Sequence, residues 1–228
     1  PRQLAAWRAT VVMCFAWLFT MSRGAGGGMA IAVVLFILLV DRRLFGSLLA
    51  ACALLMFVPF VRTRISFLFT DEFVAASNNG GRSERWATGL ALLNSADPWL
   101  GYGLGMFGGA IAMQTQIMDW IEYFYMDNYY LKILVEMGYV GLASFAVMML
   151  TLVWTGNRTL FRLRGQRRHM EGTLYPLCAG MFAGLCGVLA HCFFENIFEQ
   201  PYMMVYFWTI AAMLVWAGFL QNPRKEVV

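Results

Sequence analysis

A chain of 228 residues that is 60% hydrophobic and only 13% charged, with a mean hydropathy of +0.61, falls outside the range of soluble domains and points to lipid as its solvent. The net charge of +4 is no nucleic-acid signal, because the basic residues are distributed as membrane topology distributes them. Cys14, Cys52, Cys178, Cys186 and Cys192 all sit in apolar runs without paired spacing, which argues against a disulfide framework or a zinc site and for small core hydrophobes.

The start at Pro1, with no initiator Met and no leader, reads as a piece of a longer chain. Crossing about 30 Å of hydrocarbon takes about 20 apolar residues, and six such spans are predicted, at 4–21, 26–40, 44–61, 129–155, 173–194 and 200–220. The second is short and opens on Gly24, Gly26, Gly27 and Gly28, so it either begins in the interface or packs closely against a neighbour through small residues. The expected fold class is an all-α integral membrane protein. Three transmembrane helices occupy 1–61, a large, partly helical periplasmic loop 62–128, three more helices 129–220, and a cytoplasmic tail 221–228.

Basic clusters orient these spans. Asp41-Arg42-Arg43 follows the second, Arg158, Arg162, Arg164, Arg167 and Arg168 follow the fourth, and Arg224-Lys225 follow the last. By the positive-inside rule all three are cytoplasmic. The alternate connections then face outward: Ser22-Arg23-Gly24, segment 62–128, and the turn from Glu195 to Gln200. In the long segment Arg62, Arg64, Arg82 and Arg85 stand against Asp71, Glu72, Glu84, Asp97, Asp119, Glu122 and Asp127. That acidic balance agrees with an outward placement.

A loop of this length with its own apolar content is usually functional. Ser77-Asn78-Asn79-Gly80-Gly81 is a turn-forming stretch, residues 82–94 have the apolar spacing of an amphipathic helix, Pro98 breaks that pattern, and Gly101, Gly103, Gly105, Gly108 and Gly109 punctuate a loop. A second amphipathic helix is expected over 114–126, leading into the fourth span.

Arg82 and Arg85, three apart on the predicted helix, share a face and suit a diphosphate held by fork-like hydrogen bonds; solvated charges beside Glu84 are the plainer reading. Arg23 near the hydrocarbon edge either snorkels or binds an anion. Gly101-Tyr102-Gly103-Leu104-Gly105 lacks the flanking strand and helix of a nucleotide loop, so a tight loop against the membrane surface, with glycines permitting close backbone approach, is the better account. Asp127 precedes the fourth span where partial burial makes a usable general base. Lys132 and Glu136 are spaced i,i+4 inside that span, as a working pair or one that merely neutralises itself. Trp120, Tyr123, Phe124, Tyr125, Tyr129 and Tyr130 read as an interfacial aromatic belt ahead of a sugar-stacking platform. His191, Glu195 and Glu199 share a helical face if the fifth span continues that far, in a hydrogen-bonding role ahead of a metal site, while His169 belongs to the basic loop.

The ordered set Ser22-Arg23-Gly24, Gly81-Arg82-x-x-x-Trp86, Pro98-Trp99-x-Gly101-x-Gly103-x-Gly105-x-Phe107 and Asp127-Asn128-x-Tyr130-Leu131-x-x-x-x-Glu136-x-Gly138-x-x-Gly141 resembles the O-antigen polymerase/ligase family, over its C-terminal half. The resemblance implies a glycosyltransferase that uses an undecaprenyl-diphosphate-linked glycan at the outer face of the inner membrane, either polymerising repeat units or moving the polymer to lipid A. It implies that Arg82 holds the donor diphosphate, with Arg23 contributing. Ligases of the family carry His where this chain has Asp127, so the Asp-Asn version resembles the polymerases of O-antigen, capsule or exopolysaccharide synthesis.

The expected catalytic residues are Arg82, Asp127 and Glu136, with Asp127 the base and Glu136 or Glu195 as alternates. The expected substrate-binding residues are Arg23, Arg85, Asn128, Tyr130, His191 and Glu195. Neither metal nor cofactor is expected, and single displacement predicts inversion. The implied partners are the lipid-linked donor, a glycan acceptor and the bilayer, with a chain-length regulator and a flippase as further candidates and no nucleic acid. The runner-up activity is ligation to a lipid A-core acceptor. The rival class is a transporter, which would show ionisable residues near mid-membrane and interrupted helices in two matching halves.

Overall fold

The computed structural model describes residues 2–20, 22–78, 81–95, 97–117, 124–166 and 174–220. Of the residues singled out above, Asn79, Gly80, Asp119, Trp120, Glu122, Tyr123, Arg167, Arg168, His169, Arg224 and Lys225 lie outside the described residues. The chain is an all-α integral membrane protein, with α1 (Arg2–Phe19), α2 (Arg23–Val40), α3 (Leu44–Leu55), α4 (Pro59–Phe67), α5 (Asp71–Asn78), α6 (Arg82–Ser95), α7 (Ala110–Thr115), α8 (Tyr129–Gln166), α9 (Leu174–His191), a 3-10 turn (Ile197–Glu199) and α10 (Pro201–Leu220).

Among the described residues four helices are long and apolar enough to cross a membrane, namely α2, α8, α9 and α10. They match the expected spans at 26–40, 129–155, 173–194 and 200–220. The expected span 44–61 is instead broken. α3 and the helix after it meet at 95°, and Pro59 opens α4 in the first helical turn, where its missing N–H costs nothing and where it cannot continue the helix before it. In α1 the apolar stretch Leu4–Trp17 is shorter than a span.

α8, α9 and α10 share a core that includes Leu160, Leu163, Cys178, Phe182, Phe207 and Leu214. α2 runs antiparallel along α9: Gly24 lies beside His191 and Gly28 beside Gly187, while the Tyr175 hydroxyl donates to the Leu39 carbonyl at 2.8 Å. A Cβ at Gly28 would sit 2.8 Å from the Gly187 carbonyl oxygen, so the two backbones touch through glycine, as small-residue packing in membranes allows. The start of α2, the start of α8 and the turn after α9 therefore lie at one end of the bundle. Arg42, Arg43, Arg158, Arg162 and Arg164 lie at the other end. Cys178 and Cys192 are buried, but Cys14 and Cys52 are exposed and none of the five is paired.

Inside α8, Gly138 leaves the helix with φ +64° and ψ −167°. The Gly-rich loop docks into that break. Tyr102 and Gly103 N–H groups donate to the Val135 and Glu136 carbonyls at 3.0 and 2.7 Å, and Tyr139 and Val140 N–H groups donate to the Pro98 and Trp99 carbonyls at 2.9 and 3.2 Å. Backbone groups freed by the break are thus satisfied by the loop rather than left bare. Gly101 must lack a side chain here, because a Cβ would meet the Val135 oxygen at 2.5 Å. Close backbone approach was expected of these glycines; its partner is the helix break, which the sequence did not suggest.

Most of the expected amphipathic helix 114–126 cannot be compared, because 118–123 lie outside the described residues; at its start α7 ends at Thr115, and Gln116 turns into the left-handed region at φ 44°. Residues 124–128 are irregular. Tyr129 and Tyr130 do not form a surface belt with their rings. Tyr129 packs edge-on to Phe145 and Phe198, and Tyr130 lies 4.6 Å from Phe193, which ties α8 to its neighbours.

Candidate active site

The site begins with α6, whose observed bounds agree with the helix expected over 82–94. Trp86 and Leu92 pack against the buried cluster Phe107, Met126, Leu131 and Val135, and Gly89 lets Met126 approach, since a Cβ there would lie 3.0 Å from the methionine methyl. This apolar seam fixes the rotation of α6. Residues 82, 85 and 86, spaced three and four apart, then turn together toward the chain entering α8.

That chain delivers Asp127. Met126 N–H donates to the Gly108 carbonyl at 3.0 Å, and the Asn128 side chain accepts from Leu131 N–H at 3.0 Å, capping the first turn of α8. Held between these anchors, the Asp127 carboxylate accepts from Arg82 Nε at 2.8 Å, Arg85 Nη2 at 2.8 Å and Trp86 Nε1 at 3.0 Å. Its side chain is 10% exposed, against 38% for Arg82 and 35% for Arg85. The anion is inside and the cations face outward. Arg82 also donates to the Phe194 carbonyl at 3.2 Å, with its guanidinium over the Phe194 ring at 5.6 Å. Arg85 Nε is buried without a partner among the described residues.

The turn after α9 forms the opposite wall. Here the expectation of a continued helix is corrected: α9 ends at His191, and Glu199 lies in the 3-10 turn, so His191, Glu195 and Glu199 do not share a helical face. Tyr129 N–H holds the turn by donating to the Cys192 carbonyl at 2.9 Å. Glu195 lies within electrostatic reach of Arg82, Arg85 and Asp127. Partial burial pushes its carboxyl above the ordinary value, Arg82 and Arg85 pull it back, and the Asp127 charge adds to the rise. Beside it, His191 Nε2 is buried without a partner among the described residues.

Other expected residues lie elsewhere. Lys132 Nζ meets Glu136 Oε2 at 2.7 Å, and Glu136 Oε1 accepts from Phe107 N–H at 3.1 Å. That pair binds the Gly-rich loop to α8. Glu199 does similar work, accepting from Ala110 N–H and from the Asn196 side chain, both at 2.6 Å. Tyr125, pushed up to about 12 first by burial and then by Glu199, belongs to this second group. The Tyr130 hydroxyl donates to the Leu189 carbonyl at 2.7 Å. Arg23 lies over the Phe67 and Phe73 rings at 5.9 and 5.3 Å, and its neighbour Gly24 touches His191 and Phe194. Among the described residues no three His, Cys, Asp or Glu side chains converge as metal ligands would.

Two contributors were missed by sequence reasoning. Trp86 was noted only as part of a motif, although its place four residues after Arg82 puts it on the same face. Phe194 contributes a carbonyl and a ring, and its sequence context gave no sign of either.

A search of curated proteins and a search of solved structures each returned no significant match. The O-antigen ligase family profile matches residues 9–146, a stretch that contains Arg23, Arg82, Arg85, Asp127, Glu136 and the Gly138 break and ends before His191 and Glu195. More than half of the chain is covered, and the chain belongs to the O-antigen ligase family.

Proposed function

We propose that this protein transfers a glycan from an undecaprenyl-diphosphate carrier to a sugar hydroxyl, and that it does so repeatedly, as a polymerase of surface polysaccharide. The observation that carries this reading is the pair of outward-facing arginines preset on one buried carboxylate. Breaking a sugar–diphosphate bond builds negative charge on the leaving group, and preorganised cations stabilise that charge without reorganising. Arg82 and Arg85 hold the diphosphate, and Asp127 sets their spacing.

The base role moves from Asp127 to Glu195. Asp127 already accepts three hydrogen bonds and is poorly placed to take a proton from an arriving hydroxyl. Glu195 lies within electrostatic reach of the same arginines, on the other wall, and its raised carboxyl is a better proton acceptor than an ordinary glutamate. In the step, the acceptor oxygen forms a bond to the anomeric carbon as the carbon–oxygen bond to the diphosphate breaks. The hydroxyl proton passes to Glu195 and the electron pair leaves on the diphosphate. One displacement of this kind inverts the anomeric carbon and calls on no metal.

The site end of the bundle faces the periplasm at the inner membrane in this reading, because Arg42, Arg43 and the arginines of α8 lie at the opposite end. Ligation is the second reading, favoured by the name of the matching family. Asp127 weighs against it: a histidine in its place could not accept from two guanidinium groups at once. Incubating the full-length protein with an undecaprenyl-diphosphate oligosaccharide decides between them. A ladder of lengths supports polymerisation, whereas a single transfer seen only when lipid A-core is added supports ligation.

A further inference from the structure

The antiparallel contact of α2 and α9 through Gly28 and Gly187 leaves a slot beside it. The slot has a volume of about 190 Å³ and is lined by Trp17, Ala25, Met29, Gly184, Val188 and His191 among others. Apart from His191 these side chains are apolar. Pockets for whole small molecules run from about 300 Å³ upward, so this one admits a short stretch of a single chain.

The slot adjoins the arginine site. His191 is one of its lining residues, and the Nε2 atom of that residue is buried with no partner among the described residues. A Cβ on Gly24 would lie 3.1 Å from His191 Nε2 and 3.0 Å from Phe194 Cβ. Phe194 in turn gives its carbonyl to Arg82 and lies beneath the Arg82 guanidinium. From cations to slot, the path thus runs through residues in contact. A ligand that fits both ends has an anionic head and one apolar chain.

We propose that the slot between α2 and α9 seats the first isoprene units of the lipid carrier, with His191 Nε2 hydrogen-bonded to the phosphate at the lipid end. The inference rests on the reading of the arginines as a diphosphate site and gives the donor a direction, with the lipid-proximal phosphate toward α9 and the sugar toward Glu195. A chain that leaves the bilayer for the slot exchanges one apolar surrounding for another, so its affinity comes from close packing against the slot walls rather than from transfer out of water. The slot also provides orientation: fixing the chain next to the diphosphate fixes the anomeric carbon at the other end.

Gly184 offers a clean test, because a Cβ there meets nothing within 4 Å. Gly184→Leu starts from a Cβ with free space around it and projects its side chain into the slot, and Ala25→Leu enters the slot from α2 should the first variant fail to insert. Binding of undecaprenyl diphosphate and of inorganic pyrophosphate to the full-length protein in detergent is measured by calorimetry. Removing room for even one methylene costs a ligand about tenfold or more, so either filled variant should lose at least that much affinity for undecaprenyl diphosphate and keep its affinity for pyrophosphate. Unchanged affinity for the lipid-bearing ligand in both variants overturns the slot and leaves it to bulk lipid. Arg82→Ala separates the two claims: it should weaken both ligands, and if it weakens neither, the diphosphate reading itself fails.

Discussion

Asp127 Oδ2 accepts at 2.8 Å from both Arg82 and Arg85, so one buried oxygen sets the spacing of two cations that come from the same helix face. The carboxylate cancels part of the charge it positions, a cost that makes sense only if the spacing matters more than the full potential. Loss of a preorganised electrostatic contact of this kind lowers kcat by about 10²–10³-fold. Asp127→Asn should show that loss in glycan transfer while inserting normally, because Asn keeps an acceptor for Trp86 but no longer a charge for the arginines. Normal turnover by Asp127→Asn would mean that the arginines hold their places without it.

Glu195 carries a prediction in pH. Burial raises its carboxyl above 4.5 and the two arginines lower it. A base must be ionised to act, so activity is absent well below the raised value and appears as pH rises through it. Arg85→Gln removes one of the two lowering charges and moves this acid limb to higher pH, with Arg82 still present for the donor. Glu195→Gln removes the limb and about 10²–10⁴-fold of the rate. A pH–rate profile that is identical in wild type and Arg85→Gln would separate Glu195 from the chemistry.

How much of this was legible in the sequence depends on the kind of signal. α6 was readable, because Trp86, Leu92 and Leu93 recur at helical spacing and Arg82 and Arg85 fall on one face. The four long spans were readable from apolar length alone. Asp127 was visible as an important residue, but its pairing with arginines more than 40 positions earlier was not, since nothing local records which side chain it will meet. The hydrogen bonds that dock residues 98–103 into the break at Gly138 join backbone groups, and backbone bonds leave no side-chain signature beyond the glycines themselves. Glu199 was read as a partner of His191 on one helix face, an inference that ended where the helix did.

Glycine is indispensable at the break in α8 and dispensable at Gly26 in α2. Gly138 sits at φ +64°, and a Cβ there would collide with the Trp99 carbonyl. Left-handed backbone at a non-glycine residue costs about 1–3 kcal/mol before any clash. Gly138→Ala should therefore lower the melting temperature in detergent and loosen the loop that carries Gly108, the anchor of Met126 and so of Asp127. Gly26 is helical and a Cβ there meets nothing within 4 Å; Gly26→Ala should raise the melting temperature, since alanine is favoured in a helix by up to about 1 kcal/mol. Equal melting temperatures for the two variants would remove the special status of the break.

Glu136 tests whether the second polar group is structural. Its side chain is 3% exposed and that of Lys132 is 12%, and Glu136 Oε1 also holds Phe107 N–H. Removing one member of a buried pair strands the other charge, at about 3–5 kcal/mol. Glu136→Gln keeps an acceptor for Phe107 but leaves the Lys132 ammonium uncompensated, so the expected result is a large fall in unfolding stability. Replacing both residues, as Lys132→Met with Glu136→Gln, should recover much of it, because no isolated charge remains. If Glu136 were instead the catalytic base, the single variant would keep its stability and lose turnover, and the double variant would recover nothing. Unfolding in denaturant measured alongside kcat on the same preparations separates the two roles.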